Sequence, residues 1–149
     1  MTQQEVLSIE NAKAYLSKTF QLDKLIRSKL EQLARARERA FIPAIQYSHA
    51  KTSASLHTDR MAENATRVEA LEAEVSTLLL AFSACKQRIS IQLSHVTDLS
   101  ARSVLEQRYL CHQPWEDIAR KIECTKRQAY NLHNKGLKIM AGLLAGMKG

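Results

Sequence analysis

The chain has 149 residues, a net charge of +7 and an isoelectric point near 9.5, with 45% apolar, 25% charged and only 5% aromatic residues. That length fits one compact domain or two small ones, and many Ala, Leu, Gln, Glu, Lys and Arg with few Gly and Pro favour helix over sheet. The positive excess points to a polyanionic partner, nucleic acid ahead of an anionic membrane surface, and the longest apolar run, Leu78 to Phe82, falls far short of the ~20 residues that span a bilayer.

The start, MTQQEVLSIE, has neither the basic nor the apolar region of a secretory signal, so a cytoplasmic protein is expected. From about Ser8 to Ala40 the apolar residues Ile9, Ala12, Leu16, Phe20, Leu22, Leu25, Ile26, Leu30 and Leu33 recur at mostly helical spacing. The ARARER stretch, Arg35 to Arg39, reads better as a solvated helix face than as a phosphate-contacting patch. Pro43 ends this helix or breaks it shortly before. The segment from about 41 to 58 reads as a loop with a functional or linker role.

A long second helix is expected from an N-cap at Asp59 to about Val96. Within it Val68, Leu71, Val75, Leu78, Phe82, Cys85 and Ile89 step alternately by three and four, a heptad seam, while Glu69, Glu72, Glu74, Lys86 and Arg88 stay off it. Such a stripe needs a partner helix. The first helix can supply it by folding back, and a second subunit can supply it instead or in addition; a homo-oligomer, a dimer first, is the favoured form.

Shorter elements follow Asp98. Leu99, Val104, Leu105, Tyr109 and Leu110 form one amphipathic helix. Pro114 suits the first position of the next, whose apolar face is Trp115, Ile118, Ala119 and Ile122, with Glu116 and Asp117 in the first turn. After a tight turn at Glu123-Cys124-Thr125, Thr125 and Gln128 make a capping-box pair. The last helix carries Ala129, Leu132, Gly136, Leu137 and Met140 on one face. Its other face holds Lys126, Arg127, Gln128, Tyr130, Asn131, Asn134, Lys135 and Lys138, a composition able to reach guanine, adenine and phosphate groups. Small Ala119 and Ala129 let the two helices cross closely. Residues 98–149 hold nine basic and five acidic side chains, about half of the chain's net charge.

On these residues Leu99–Met140, with VLEQRYL, WEDIARKI and the turn before Thr125, resembles region 4 of the sigma-70 family. The closer resemblance is to RinA/ArpU-type phage late transcription regulators, through KRQAYNLHNKGL and, upstream, LDKLIRSKLEQL and DRMAENATRVEALEAEV. The resemblance implies activation of phage late genes by promoter binding together with host RNA polymerase. By matching position it places base reading on Lys126, Arg127 and Asn131. Glu123 stands where such turns usually carry glycine, and no sigma region 2 is recognisable, so a complete sigma factor is not implied.

The resulting expectation is all-α: a long antiparallel helical hairpin or coiled coil over 1–97, then a helix-turn-helix domain over 98–149 that binds double-stranded DNA. Lys126, Arg127, Gln128 and Asn131 would touch bases; Arg120, Asn134, Lys135 and Lys138 would touch phosphates. Tyr130 is read either as a phosphate or thymine-methyl contact or as a cover for the helix edge, and Trp115 and Tyr109 as core. Cys85, Cys111 and Cys124 read as small buried apolar residues in a reducing compartment. Cys111, His112, Cys124 and His133 lack zinc-ligand spacing, so no metal and no cofactor is expected, and no catalytic constellation marks an enzyme. Two competing readings remain: a small terminase-like packaging-site binder, whose usual element order is the reverse, and an adaptor that grips RNA polymerase with little DNA affinity.

Overall fold

Thr2 and Glu5 open the first helix with a reciprocal cap. The Glu5 amide donates to Thr2 Oγ1 at 3.3 Å and the Thr2 amide donates to Glu5 Oε2 at 3.1 Å, which satisfies two of the N–H groups that every helix start leaves over. α1 therefore runs Gln3–Tyr47, starting five residues before the expected Ser8. The computed structural model describes residues 2–47 and 54–147. The other helices are α2 (Ala54–Leu93), α3 (Leu99–Tyr109), α4 (Trp115–Lys121) and α5 (Lys126–Met147). The fold is all-α, with no strand among the described residues.

Pro43 does not end α1. Its missing N–H leaves the Arg39 carbonyl, four residues back, without its helical donor, and the Asn64 side-chain amide of α2 donates to that carbonyl at 3.5 Å. Most of the expected loop at 41–58 is thus helix, with residues 48–53 outside the described part. Asp59 is not a cap, because α2 starts at Ala54; nothing between Ser55 and Thr58 breaks a helix. α2 stops at Leu93, earlier than Val96, where the amides of His95 and Val96 turn back onto the carbonyls of Gln92 and Leu93 at 3.1 and 3.0 Å.

The chain forms two compact units, residues 1–21 with 82–149, and residues 22–81. In the second unit Leu33, Ala36 and Leu71 are buried, with Val68 packed on them. Lys29 pairs with Glu74 at 2.8 Å and Arg37 with Glu72 at 2.9 Å across the same two helices. Arg35 is held by Glu31 on its own helix. Leu25 and Leu30, expected on the apolar stripe, are instead exposed. The seven seam positions of α2 are all buried or half-buried, and Glu69, Glu72, Glu74 and Arg88 are exposed.

The larger unit has two clusters. Ala12 and Leu16 of α1, Ile89 and Leu93 of α2, Val96, Leu105 and Tyr109 of α3, and Leu137 and Met140 of α5 form one. Each of its large aliphatic side chains contributes about 1.5–3 kcal/mol by leaving water. Val104, Ile118, Ala119 and Ala129 form the other, joining α3, α4 and α5. Residues 1–21 and 82–97 thus pack with 98–149 as one body. Thr19 faces the first cluster although it is polar: its hydroxyl donates to the Tyr109 carbonyl at 2.9 Å, filling an acceptor at the end of α3. Leu99 was expected on the inner face of α3 but is exposed; Asp98 caps the helix by accepting from Ala101 N at 3.0 Å, which leaves Leu99 in the outward-facing first turn while Ala101 is buried. Pro114 is the residue just before α4, not its first helical one. Among the described residues no helix is long and apolar enough to cross a membrane.

Candidate functional site

The α4–α5 connection is built by two complementary caps. At the end of α4 the Cys124 amide donates to the Ala119 carbonyl at 3.0 Å and the Glu123 amide to the Arg120 carbonyl at 3.3 Å. This is a Schellman pattern, which needs a left-handed residue at the position of Glu123. Glu123 takes it, with φ of 56°, so the turn has the form a glycine would favour without a glycine. Cys124, read from the sequence as buried, is half-buried and packs against the Val104, Ile118, Ala119 and Ala129 cluster. At the start of α5 the Gln128 amide donates to Thr125 Oγ1 at 3.1 Å and the Thr125 amide to Gln128 Oε1 at 2.9 Å. Two short caps in succession fix the direction in which α5 leaves the turn.

The inner side of α5 is Ala129, His133, Gly136, Leu137 and Met140, all buried. Gly136 lets α5 approach α3 closely: a Cβ there would lie 2.8 Å from Leu105 Cδ1, which would have to shift. The opposite side presents Arg127, Asn131, Asn134 and Lys138, all exposed at i, i+4, i+7 and i+11, one stripe of a helix. Lys126 and Tyr130 lie on one flank of that stripe and Gln128 and Lys135 on the other.

The candidate residues differ in how far they are already engaged. Lys126 pairs with Glu116 at 3.6 Å, Arg120 with Asp117, and Lys135 with Asp98. The Gln128 carboxamide oxygen is taken by the cap. Arg127 and Lys138 have no carboxylate partner among the described residues. Tyr130 leans on Trp115, ring centroids 4.6 Å apart, and remains 40% exposed, at the edge of the helix. Asp98 is both the N-cap of α3 and the acceptor for Lys135; the hydrogen bond from Lys135, then that from the Ala101 amide, holds its carboxyl below the usual carboxylate range.

No family model matches the chain, and neither a curated protein nor a solved structure does.

Two features escaped the sequence reading. The first is a buried polar pair: Tyr109 Oη and His133 Nε2 lie 2.7 Å apart. Burial, with the charges of Lys13 and Arg108, pushes His133 down to about 4, and burial pushes Tyr109 up to about 12. The signal was present as a histidine on the apolar side of α5, one position from Leu132. The second is Arg108, half-buried between two rings, Phe20 at 5.2 Å and Trp115 at 5.0 Å, with Nη1 donating to the Gln113 carbonyl at 3.0 Å. Trp115 is half-buried and packs against the Val104, Ile118, Ala119 and Ala129 cluster. Cys111 is exposed, not buried, because it follows the last turn of α3. Among the described residues no three His, Cys, Asp or Glu gather in a way that could hold a metal ion.

Proposed function

We propose that this chain is a sequence-specific DNA-binding transcription regulator. α4 and α5 act as a helix-turn-helix and α5 lies in the major groove. The observation that carries this reading is the stripe Arg127, Asn131, Asn134 and Lys138. It has two cations without carboxylate partners among the described residues and two carboxamides, on the outer face of a helix whose entry is fixed by caps on both sides of the turn. An α-helix fills the width of the major groove, so such a stripe meets base edges. Arg127 and Asn131 read bases, with Lys126 and Gln128 beside them; Lys138 and Asn134 meet the backbone, with Arg120, Tyr130 and Lys135 at its margin. α1 and α2 serve as an antiparallel hairpin that also supports a homodimer.

In its finer form the proposal is a regulator like those of the RinA/ArpU type. A sigma region 4-like module activates phage late genes together with host RNA polymerase in the bacterial cytoplasm. The resemblance of VLEQRYL, WEDIARKI and KRQAYNLHNKGL supports this form, and the positive charge of the chain supports a polyanionic partner.

Selection of bound sequences from a random duplex pool tests the reading directly. A consensus should emerge, and Arg127→Ala and Asn131→Ala should each weaken binding to it by ~1–3 kcal/mol. Absence of binding at low salt, with RNA polymerase still retained by the protein, would replace this reading by the adaptor one.

A further inference from the structure

The flank of α5 next to Tyr130 carries a groove of about 530 Å³, lined by α1, α3, α4 and α5 within the larger unit. Its floor is Tyr109, His133 and Leu137, and Tyr130 and Asn134 stand at its edge. Lys13 of α1 and Arg108 of α3 also line it. Lys13 is exposed and Arg108 half-buried, and among the described residues neither meets a carboxylate. On the other flank of α5 the charge is cancelled, because Lys135 is paired with Asp98. Lys126 and Arg120 are likewise paired, with Glu116 and Asp117. The lining of this groove holds two cations, Lys13 and Arg108, and one carboxylate, Glu10, so it keeps a net positive charge beside the outer stripe. The same two cations also act on the floor, where they help keep His133 neutral.

We propose that Lys13 and Arg108, with Tyr130 and Asn134, form a seat for a DNA-backbone phosphate, so that α1 takes part in the nucleic-acid surface. The inference rests on the DNA-binding reading and deepens it. A helix with its side chains is about 10–12 Å across and the major groove about 12 Å wide, so the phosphates of the two strands run along the flanks of a docked helix. Asn134 belongs both to the outer stripe and to this groove, which makes the two surfaces continuous. Phe20 and Trp115 both lie at cation–π distance from the Arg108 guanidinium and help hold it in place. Its remaining edge nitrogens and the Lys13 ammonium are the donors left for an oxyanion, and the Tyr130 hydroxyl and the Asn134 amide are neutral donors beside them.

The test uses the full chain and a labelled mixed-sequence duplex longer than two helical turns, with affinity measured across a salt series. Lys13→Ala should lower affinity about 3- to 10-fold near physiological salt. It should also reduce the slope of log K against log salt by about 1, the loss of one phosphate contact. Lys13→Glu should lower affinity further. Thermal melting of both variants should match the parent, since Lys13 is exposed; Arg108→Lys is a second probe, keeping the charge while losing the planar edge, and should weaken binding with a smaller change in slope. If Lys13→Ala and Lys13→Glu leave affinity and slope unchanged while Arg127→Ala and Lys138→Ala reduce them, the seat is wrong and the DNA-binding reading stands. If none of the four changes binding, DNA does not dock on α5, and both the seat and the proposed reading face are wrong.

Discussion

The Tyr109 hydroxyl lies 2.7 Å from His133 Nε2, and the two rings are nearly parallel at 24°. The pair joins α3 to α5 inside the larger unit. Its cost and its benefit have the same origin, because burial strengthens the hydrogen bond and penalises any charge placed on it. His133 is only 6% exposed and Lys13 and Arg108 add positive potential, whereas the Asn134 hydrogen bond works in the opposite direction.

The first prediction concerns pH. An unfolded histidine titrates near 6.5, and His133 in the fold titrates at about 4. Above the unfolded value neither state binds the proton, so His133 adds no pH dependence there. As pH falls from about 6.5 to about 4 the unfolded chain takes up a proton that the fold refuses, so stability is lost, by at most about 3 kcal/mol. Below about 4 both states are protonated and this loss levels off. Urea unfolding of the parent and of His133→Gln at a series of pH values isolates the effect. The parent should lose more stability than the variant across that window, and parallel curves would show that His133 is not held neutral.

The second prediction concerns Thr19. Its hydroxyl fills the Tyr109 carbonyl, and Thr19 is fully buried. Thr19→Val keeps the shape and removes the donor, so the carbonyl is left buried without a partner. The expected loss is about 1–3 kcal/mol, read as a lower midpoint of chemical unfolding. Thr19→Ser should retain most of the hydrogen bond and lose only the methyl packing.

Glycines 136 and 142 should respond in opposite directions to alanine. At Gly136 the new methyl meets Leu105, itself fully buried, at 2.8 Å from Cδ1 and 3.0 Å from Cγ. Overpacking costs about 1–3 kcal/mol, which outweighs the gain of about 1 kcal/mol from helix propensity. At Gly142 no atom lies within 4 Å of such a methyl, so Gly142→Ala should stabilise by roughly 0.5–1 kcal/mol. Thermal melting of the two single variants distinguishes the sites.

Glu123 leads to a further stability prediction. It holds φ of 56°, a region that penalises a side chain by roughly 1–2 kcal/mol. Part of any gain from glycine is lost to the freer unfolded chain. Glu123→Gly should therefore raise stability by a net ~0.5–1 kcal/mol, visible as a higher melting temperature with an unchanged far-ultraviolet spectrum.

What was legible in the sequence followed from local rules. The heptad seam from Val68 to Ile89 is inward-facing throughout, and the Thr125–Gln128 cap forms as its residue types require. The start of α1 was equally legible in the capping-box spacing of Thr2 and Glu5, although the apolar pattern begins only later. The rest depended on partners distant in the chain. Pro43 reads as a helix end until the Asn64 amide is seen to serve the carbonyl that the proline leaves free. Thr19 reads as a break in an apolar stripe until the end of α3 is placed beside it. Ion pairing is of the same kind: nothing in KRQAYNLHNKGLK distinguishes Lys135, which Asp98 engages, from Lys138, which has no carboxylate partner among the described residues.

That difference between two lysines of one helix gives the last prediction. Under the DNA-binding reading each cation that neutralises a phosphate contributes about 0.9 to the slope of log K against log salt. Lys138→Ala should remove about one such contribution. Lys135→Ala should remove much less, since its ammonium is already committed to Asp98. Asp98→Asn separates the two roles of that side chain. Asparagine is as good an N-cap as aspartate, so α3 keeps its start, but the carboxylate that holds Lys135 is gone. Affinity for duplex DNA should then rise and the slope steepen, and replacing Lys135 by alanine in the Asp98→Asn background should reverse both changes. Equal slopes for Lys135→Ala and Lys138→Ala in the parent would mean that the Asp98–Lys135 pair opens on DNA at little cost, as an exposed pair of modest strength can. Asp98 would then restrain α5 before binding and not set its contacts.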